Sequence, residues 1–418
     1  EFTEFYIALP PQNFAKGCKL TFIDTRNRYM GTLTSKPFNA ARAQFVTFRA
    51  GGGEKVFEYI ADNALIWQDT PRLLLHANRQ AESPSGYDLT GGSDANLANC
   101  YVITPSMLAA HPDGLFCFPA KSPVQSGTVY WDDLLLDTND YMVFTVDKTM
   151  ARTGGNAVIG YLDPATGLVK WSWHIWVTDA PQTMTYGNGT VFMDRNLGAV
   201  GTTAGGTDAY GMYYQWGRKD PFYGGEKTET SANAFLEAKN GTVVNPAYPA
   251  LDWAFSKSAT TTDGAAANPM TFYNDKVGTG YNWLASPNAT LWGEAKTLND
   301  PCPPGYRVPG TGAWEDLISG RQYIDGVSVW DGTNYGMTYT HGEQTAWYPA
   351  QGYRNYSSGA IVGLRSSTGG SGAYWSAETS SVKSYYLFFR SKLSSSGSIN
   401  NELDMNRSYG YTVRCCKE

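Results

Sequence analysis

The sequence lacks several features on which familiar functions depend. None of its six cysteines forms a Cys-x-x-Cys pair, so zinc ribbons and thioredoxin-like redox sites have no support. No apolar run of about 18 residues is present, so no segment is predicted to span a membrane as a helix. Lysine and arginine never form a cluster of five or more. Nucleic-acid binding is therefore disfavoured, because it needs clustered cations to neutralise phosphates.

Residues that commonly carry catalysis are also scarce. Only four histidines occur, and none lies near a Gly-x-Ser-x-Gly motif or at metal-binding spacing from another histidine. The adjacent acids Asp132-Asp133 and Glu315-Asp316 point apart on a strand or helix, which makes them poor acid–base pairs. The aspartates show no EF-hand spacing, and calcium-dependent sugar binding is only a minor alternative. We therefore predict a protein without catalytic residues, bound metal or cofactor.

The composition favours a mainly β protein of several domains. The chain has 418 residues, a charged fraction of 17 % and a formal net charge of -6. Aromatic residues make up 14 %, with 28 tyrosines and 13 tryptophans, and there are 45 glycines and 21 prolines. A length of this order corresponds to about three domains. Many turns and many aromatic side chains are typical of short strands packed into several cores.

The first part of the chain, residues 1–52, is predicted to be a β segment. Apolar and polar residues alternate at 5–9, 20–24 and 44–48, a turn is predicted at 25–28, and Gly51-Gly52-Gly53 marks the boundary. Because some fifty residues rarely hold a complete sandwich core, we expect an incomplete sheet that accepts a strand from a partner. Packing of this segment onto the next domain as extra strands is the alternative. We also expect an export signal that is missing from this sequence, either because it was cleaved off or because the sequence was cut to begin after it.

Residues 53–180 are predicted to form an immunoglobulin-like β-sandwich. Strand patterns occur at 72–75 and 139–146, and residues 155–162 and 168–177 form a predicted hairpin around a Pro-Gly turn. Cys100 and Cys117 flank a second predicted hairpin, 100–103 with 115–118, across which they can pair. The alternative is that Cys18, Cys100 and Cys117 are small buried apolar residues.

Residues 181–418 contain five landmarks in a fixed order. A cysteine flanked by prolines at 301–303 cannot lie in a helix or a central strand, so an extended segment is expected there. The landmarks are Met193-Asp194-Arg195-Asn196-Leu197-Gly198, Tyr210-Gly211-Met212-Tyr213-Tyr214-Gln215-Trp216, Cys302-Pro303-Pro304-Gly305-Tyr306-Arg307-Val308-Pro309, Tyr374-Trp375-Ser376 and Val413-Arg414-Cys415. Together they resemble the Fibrobacter succinogenes major paralogous domain, found on surface proteins of the Bacteroidetes group.

This resemblance implies an α+β fold of the C-type-lectin-like kind and a Cys302–Cys415 disulfide. Cys416 is then expected to face away from the bond, because neighbouring strand residues point to opposite faces. Short helices are predicted at 209–216, 232–238 and 312–319. The sequence departs from the family pattern at Gly310-Thr311-Gly312, where a serine and an acid are usual; Thr311 remains a possible helix cap.

The start of the chain also resembles a known family. The stretch at 8–14 and the hairpin after Gly17 are similar to the closing strands of fimbrillin-like domains. Both resemblances imply an exported, non-enzymatic adhesion protein on the outer-membrane surface or in a fimbrium, as a tip or accessory subunit. Its C-terminal domain is expected to bind a host or glycan ligand, and other subunits are expected to join it by strand addition. Membrane attachment is expected only through an upstream anchor outside this sequence. The alternative is a surface glycan-binding lipoprotein of a polysaccharide-uptake system. An enzyme on the same fold is the least favoured hypothesis.

Exposed aromatic residues are the best candidates for binding a glycan, since sugar rings stack on aromatic faces and amides hydrogen-bond the hydroxyls. Trp283 and Trp292 are candidates, although a core role is favoured for both. Tyr353, Asn355 and Tyr356 are the better ligand candidates, because the family pattern gives them no other role.

Overall fold

The computed structural model divides the chain into two compact units, Glu1–Ile60 and Ala61–Glu418. Within the described part the protein is mainly β, with several separate sheets. No described helix is long and apolar enough to cross a membrane. The described residues are six strands before residue 81 and residues 86–111, 114–123, 141–146, 150–162, 169–222, 254–274, 282–364, 370–391 and 398–418.

The first unit contains two pairs of antiparallel strands. They confirm a strand over residues 20–23, which pair in antiparallel fashion with residues 29–32. Residue 24 and the turn predicted at 25–28 lie outside the described residues. The strands predicted at 5–9 and 44–48 lie outside the described residues. The strands are β1 (Gln12–Phe14) paired with β4 (Phe38–Ala40), and β2 (Cys18–Ile23) paired with β3 (Tyr29–Thr34).

The second unit begins with two four-stranded sheets, in the orders β6-β10-β9-β7 and β5-β11-β12-β8. Their elements are β5 (Leu73–His76), β6 (Asn78–Gln80), β7 (Tyr87–Asp88), a 3-10 turn (Asp94–Asn96), β8 (Cys100–Ile103), α1 (Pro105–Ala110), β9 (Leu115–Pro119), β10 (Tyr141–Thr145), α2 (Met150–Thr153), β11 (Gly155–Leu162) and β12 (Val169–Val177).

These two sheets face each other as in a β-sandwich. Phe118 on β9 stacks on Tyr101 of β8 at 4.5 Å and meets Trp173 of β12 edge-on at 5.1 Å. Strands β11 and β12 pair in antiparallel fashion from Gly155–Val177 onward, which confirms the hairpin predicted there.

The predicted hairpin between 100–103 and 115–118 is wrong. Strand β8 pairs in parallel with β12, whereas β9 pairs with β10 in the opposite sheet. Helix α1 separates the two strands: the Thr104 hydroxyl accepts from the Met107 backbone and Pro105 occupies the first turn, which is a strong helix start. Cys100 and Cys117 are therefore in different sheets, and both are buried thiols outside any disulfide.

The remainder of the second unit is built around a seven-stranded sheet, β25-β24-β29-β26-β27-β28 with β15 paired to β29. Smaller sheets surround it. Its elements are β13 (Thr183–Thr185), β14 (Val191–Met193), a 3-10 turn (Thr207–Ala209), β15 (Tyr213–Gln215), β16 (Ala254–Ser256), α3 (Thr262–Ala267), β17 (Thr271–Tyr273), β18 (Tyr306–Arg307), a 3-10 helix (Thr311–Leu317), β19 (Ile318–Ser319), β20 (Gln322–Tyr323), β21 (Ser328–Asp331), β22 (Gly336–His341), β23 (Gln344–Pro349), β24 (Tyr353–Arg354), β25 (Ile361–Val362), β26 (Ser371–Ser380), β27 (Lys383–Arg390), β28 (Ile399–Asn406), β29 (Gly410–Thr412) and β30 (Cys416–Lys417).

Two hydrophobic cores lie on the two faces of this sheet. Trp375 and Tyr386 belong to the core that also contains Trp216 and the disulfide. Their strand neighbours Tyr374 and Leu387 belong to the other core, with Trp314. The alternation follows from the period of two in a strand, which sends successive side chains to opposite faces.

Two of the helix predictions need correction. The helix predicted at 209–216 does not form. Tyr213–Gln215 is instead strand β15, which pairs with β29 and whose three side chains are buried. Residues Thr311–Leu317 form a 3-10 helix that follows Gly310, and the Thr311 hydroxyl donates to Glu378 instead of capping it. The helix predicted at 232–238 lies outside the described residues.

Polar contacts join the sandwich-like sheets to the rest of the second unit. Asn156 Nδ2 donates to the Gly198 carbonyl at 2.8 Å, and Trp176 Nε1 donates to the Ala199 carbonyl at 2.9 Å. Asn99 Nδ2 donates to the carbonyls of Leu298 and Asp300. Residues on both sides of the predicted boundary at 180 thus contact each other directly, and the division into domains at that residue stays a prediction.

Candidate functional site

The five candidate ligand residues fall into two groups. Trp283 and Trp292 are buried, at 2 % and 1 % exposure, and their indole nitrogens donate to the Trp216 and Asn299 carbonyls. Both therefore support the core, as the sequence favoured. Tyr353, Asn355 and Tyr356 are only partly buried and lie together at the end of β24.

Three tyrosine rings form one continuous partly exposed surface, which we call the tyrosine surface: Tyr353, Tyr356 and Tyr409. The Tyr356 and Tyr409 ring centroids are 4.9 Å apart, and those of Tyr353 and Tyr409 are 5.8 Å apart. The buried Tyr411 ring lies beneath, 5.5 Å from Tyr353 and 5.6 Å from Tyr409. The rings are inclined to one another, so the surface presents both faces and edges.

A tight turn between β24 and β25 holds Tyr356 in place. The Asn355 amide donates to the Ala360 carbonyl at 2.8 Å, and the Gly359 amide donates to the Asn355 carbonyl at 2.8 Å. Asn355 Oδ1 accepts from the amide and the hydroxyl of Ser357 at 2.8 and 2.7 Å. The buried Arg354 guanidinium donates to the Gly359 carbonyl from inside. These hydrogen bonds restrain the turn, and a restrained turn loses less entropy when a ligand binds.

Asn355 has a structural role that the sequence did not predict. Its side-chain oxygen is engaged within the turn, so the carboxamide nitrogen is the group left to meet a ligand. Tyr409 was also missed as a member of the surface. The available signal was its spacing from Tyr411, because two residues that are two apart on a strand share a face.

The phenols of Tyr353, Tyr386 and Tyr411 stay protonated over the physiological range, because burial raises the pKa of each. Burial raises the pKa of Tyr353, and burial raises that of Tyr386 to about 12 against the hydrogen bond with Tyr411. Burial likewise raises the pKa of Tyr411 well above its usual value. A phenol that keeps its proton can both donate and accept hydrogen bonds, and its ring carries no charge.

A buried polar network fixes the sheet that carries the tyrosine surface. Arg414 donates from Nε and Nη2 to Asn196 Oδ1 at 3.0 and 2.8 Å, and from Nη2 to the Trp347 carbonyl. Asn196 Nδ2 in turn donates to Gln351 Oε1 at 2.9 Å and to the Tyr374 hydroxyl at 3.1 Å. The landmark residues Asn196, Tyr374 and Arg414 therefore meet at one point and have a structural role.

A second buried polar cluster, centred on Asp300, positions the proline-flanked Cys302. Cys302 and Cys415 form a disulfide, which confirms the predicted pair. Asp300 is fully buried: its Oδ1 accepts from the Cys302 amide and from Lys296 Nζ, and its Oδ2 accepts from the Val308 amide. Cys416 lies in the opposite core from Cys415, as predicted from strand alternation.

Among the histidines whose side chains the structure describes, His174 is the one buried in the protein. His174 is buried, with Nε2 2.8 Å from Asn156 Oδ1 and Nδ1 3.4 Å from the Tyr214 hydroxyl, which is a structural arrangement. Within the described ranges no group of three histidine, cysteine or acidic residues is placed to hold a metal ion.

Comparison of the chain with family models, curated proteins and solved structures finds no match in any of the three. The resemblances in the sequence therefore rest on their own motifs. What they imply about function is argued below from the tyrosine surface.

Proposed function

We propose that this chain is a non-enzymatic adhesion protein of the bacterial surface that binds an oligosaccharide on its tyrosine surface. The proposal includes the immunoglobulin-like and C-type-lectin-like folds, and the outer-membrane or fimbrial location, that the motifs imply. The observation that carries the binding role is the cluster of three partly exposed tyrosines, in which the rings of Tyr353 and Tyr356 lie 5.8 and 4.9 Å from the ring of Tyr409.

The chemistry of this surface suits a sugar. The apolar face of a pyranose packs on an aromatic ring, while its hydroxyls need donors and acceptors at the rim. The phenol hydroxyls can donate and accept hydrogen bonds, and the Asn355 carboxamide nitrogen can donate one. A rigid turn and a sheet fixed by the Arg414 network keep the rings in position, so binding needs little reorganisation.

The test is a glycan array with the full-length chain, labelled at a site outside the tyrosine surface. We expect retention on a restricted set of oligosaccharides, because inclined rings select particular ring orientations. Binding should be unchanged between pH 6 and 9, since the raised pKa of Tyr353 leaves its phenol protonated throughout. Retention of no glycan at all, at chain concentrations up to about 100 μM, would contradict the proposal.

We further propose that residues 1–60 receive a strand from a neighbouring subunit. The support is the pairing: each of the four described strands of this unit has one partner, in two separate two-stranded pairs. A two-stranded pair is marginally stable alone, and an unpaired edge accepts an extended chain by backbone hydrogen bonds.

Light scattering and incubation with strand peptides from candidate subunits test this part. The parent chain is expected to associate or to bind such a peptide. Phe22→Asp, which places a charge in β2, is expected to weaken that binding at least tenfold, whereas Glu343→Ala in the second unit should leave it unchanged. If the parent stays monomeric and binds no strand, residues 1–60 are only structural.

A further inference from the structure

A small pocket lies where strand β12 meets residues 217–220, helix α3 and the loop before Cys302. It has room for a group about the size of one water molecule. The sequence did not single out this place, and the proposed glycan binding does not use it. The lining residues that matter here are Trp171, Arg218, Lys219, Asp220, Trp283 and Asn299.

The charges around this pocket do not cancel among the described residues. Lys219 Nζ lies 2.7 Å from Asp220 Oδ1 and also donates to Ser172, so these two buried charges pair with each other. Arg218 is 2 % exposed and donates only to neutral oxygens, namely Gln215 Oε1 and the Thr271 and Pro269 carbonyls. One positive charge is therefore left without a described counter-ion.

Arg218 also keeps an unused donor. Its Nε atom is buried and makes no hydrogen bond with a described residue, although a buried donor without a partner carries a substantial desolvation cost. The rings of Phe222, Tyr273 and Trp283 surround the guanidinium at 4.9, 5.6 and 5.6 Å. This apolar surrounding strengthens the attraction between the cation and any small anion beside it.

Arg407 shows that an unpaired buried arginine does not by itself imply a ligand. It too lacks a carboxylate partner, but its Nε donates to Ser384 Oγ at 3.0 Å and its other nitrogens donate to carbonyls. It does not line the pocket. Arg218 differs in having an unused donor and in lining the pocket.

We propose that this pocket binds one halide-sized anion, chloride under ordinary conditions, next to Arg218. The anion takes the free donor and balances the charge left by the Lys219–Asp220 pair. Because the pocket wall includes Trp171 of β12 and Asn299 of the loop before Cys302, bound chloride ties the sandwich-like sheets to the remainder of the unit.

Thermal unfolding of the full chain in sodium chloride and in sodium gluconate at equal ionic strength tests this site. Gluconate is too large to enter. We expect chloride to raise the Tm by roughly 2–4 °C with a saturating concentration dependence. Arg218→Met should abolish that difference. Arg407→Met should lower the Tm in both salts and keep the difference.

A crystal of the parent chain grown or soaked in bromide gives an independent readout that needs no variant. An anomalous peak beside Arg218 Nε is expected. A water molecule in the pocket without anomalous signal, or equal Tm values of the parent in the two salts, overturns the proposal.

Discussion

Replacing Arg414 by methionine is expected to lower the free energy of unfolding by about 3–5 kcal/mol. The guanidinium is 1 % exposed and satisfies Asn196 Oδ1 and the Trp347 carbonyl, and it lies 3.8 Å from the centre of the Tyr348 ring. Methionine fills part of the space but leaves both oxygens buried without a donor. Urea unfolding followed by tryptophan fluorescence measures the loss.

Two further variants separate the network from the loss of a positive charge. Lys417→Met removes an exposed cation three residues away and should change stability by less than about 0.5 kcal/mol. Arg414→Lys keeps the charge but not the planar set of donors, so an intermediate loss is expected. If Arg414→Met and Lys417→Met proved equally stable, the network would not hold the sheet as described.

Removing the disulfide by Cys302→Ser with Cys415→Ser is expected to cost about 4–5 kcal/mol. The bond joins residues 113 apart, and in the chain-entropy model a cross-link over that length restricts the unfolded chain by this amount. Both sulfurs also lie in the core with Trp216, where two hydroxyls fit poorly. The measurement is again urea unfolding, under oxidising conditions.

Cys416→Ser is the matched control for that experiment. Cys416 is adjacent in sequence and buried, but it is a thiol in the opposite core. Its replacement loses packing without changing the cross-link, so a smaller loss of about 1–2 kcal/mol is expected. Adding a reductant should destabilise the parent and the Cys416 variant, and leave the double variant unchanged. Equal responses of all three chains to the reductant would contradict a structural role for the bond.

Features set by nearby residues were predictable from the sequence. The strands β10, β11 and β12 follow local apolar patterns and short turns, and the Cys302–Cys415 pair followed from the family resemblance that the landmarks carry. The orientation of Cys416 needed only strand alternation. These are cases in which a local pattern or one motif carries the whole constraint.

Features set by distant residues were not predictable. Residues 213–215 form a strand because they pair with residues 410–412, and that partner lies some two hundred positions away. The tyrosine surface likewise joins Tyr356 to Tyr409 through the order β24-β29 in the sheet. The pocket beside Arg218 is lined by five separate segments, at 171, 217–220, 262–266, 283 and 299. No local periodicity encodes such contacts.

Isothermal calorimetry with an oligosaccharide selected on the array tests the central claim, sugar binding on the tyrosine surface, most directly. Tyr356→Ala is compared with the parent and with Tyr385→Ala. Tyr385 is a partly buried tyrosine of β27, and its side chain points away from the tyrosine surface because its strand neighbour Tyr386 points towards it. We predict that Tyr356→Ala weakens binding about tenfold or more, the loss of roughly 1.4 kcal/mol of ring contact, while Tyr385→Ala binds like the parent. Equal affinity of all three chains would contradict the claim.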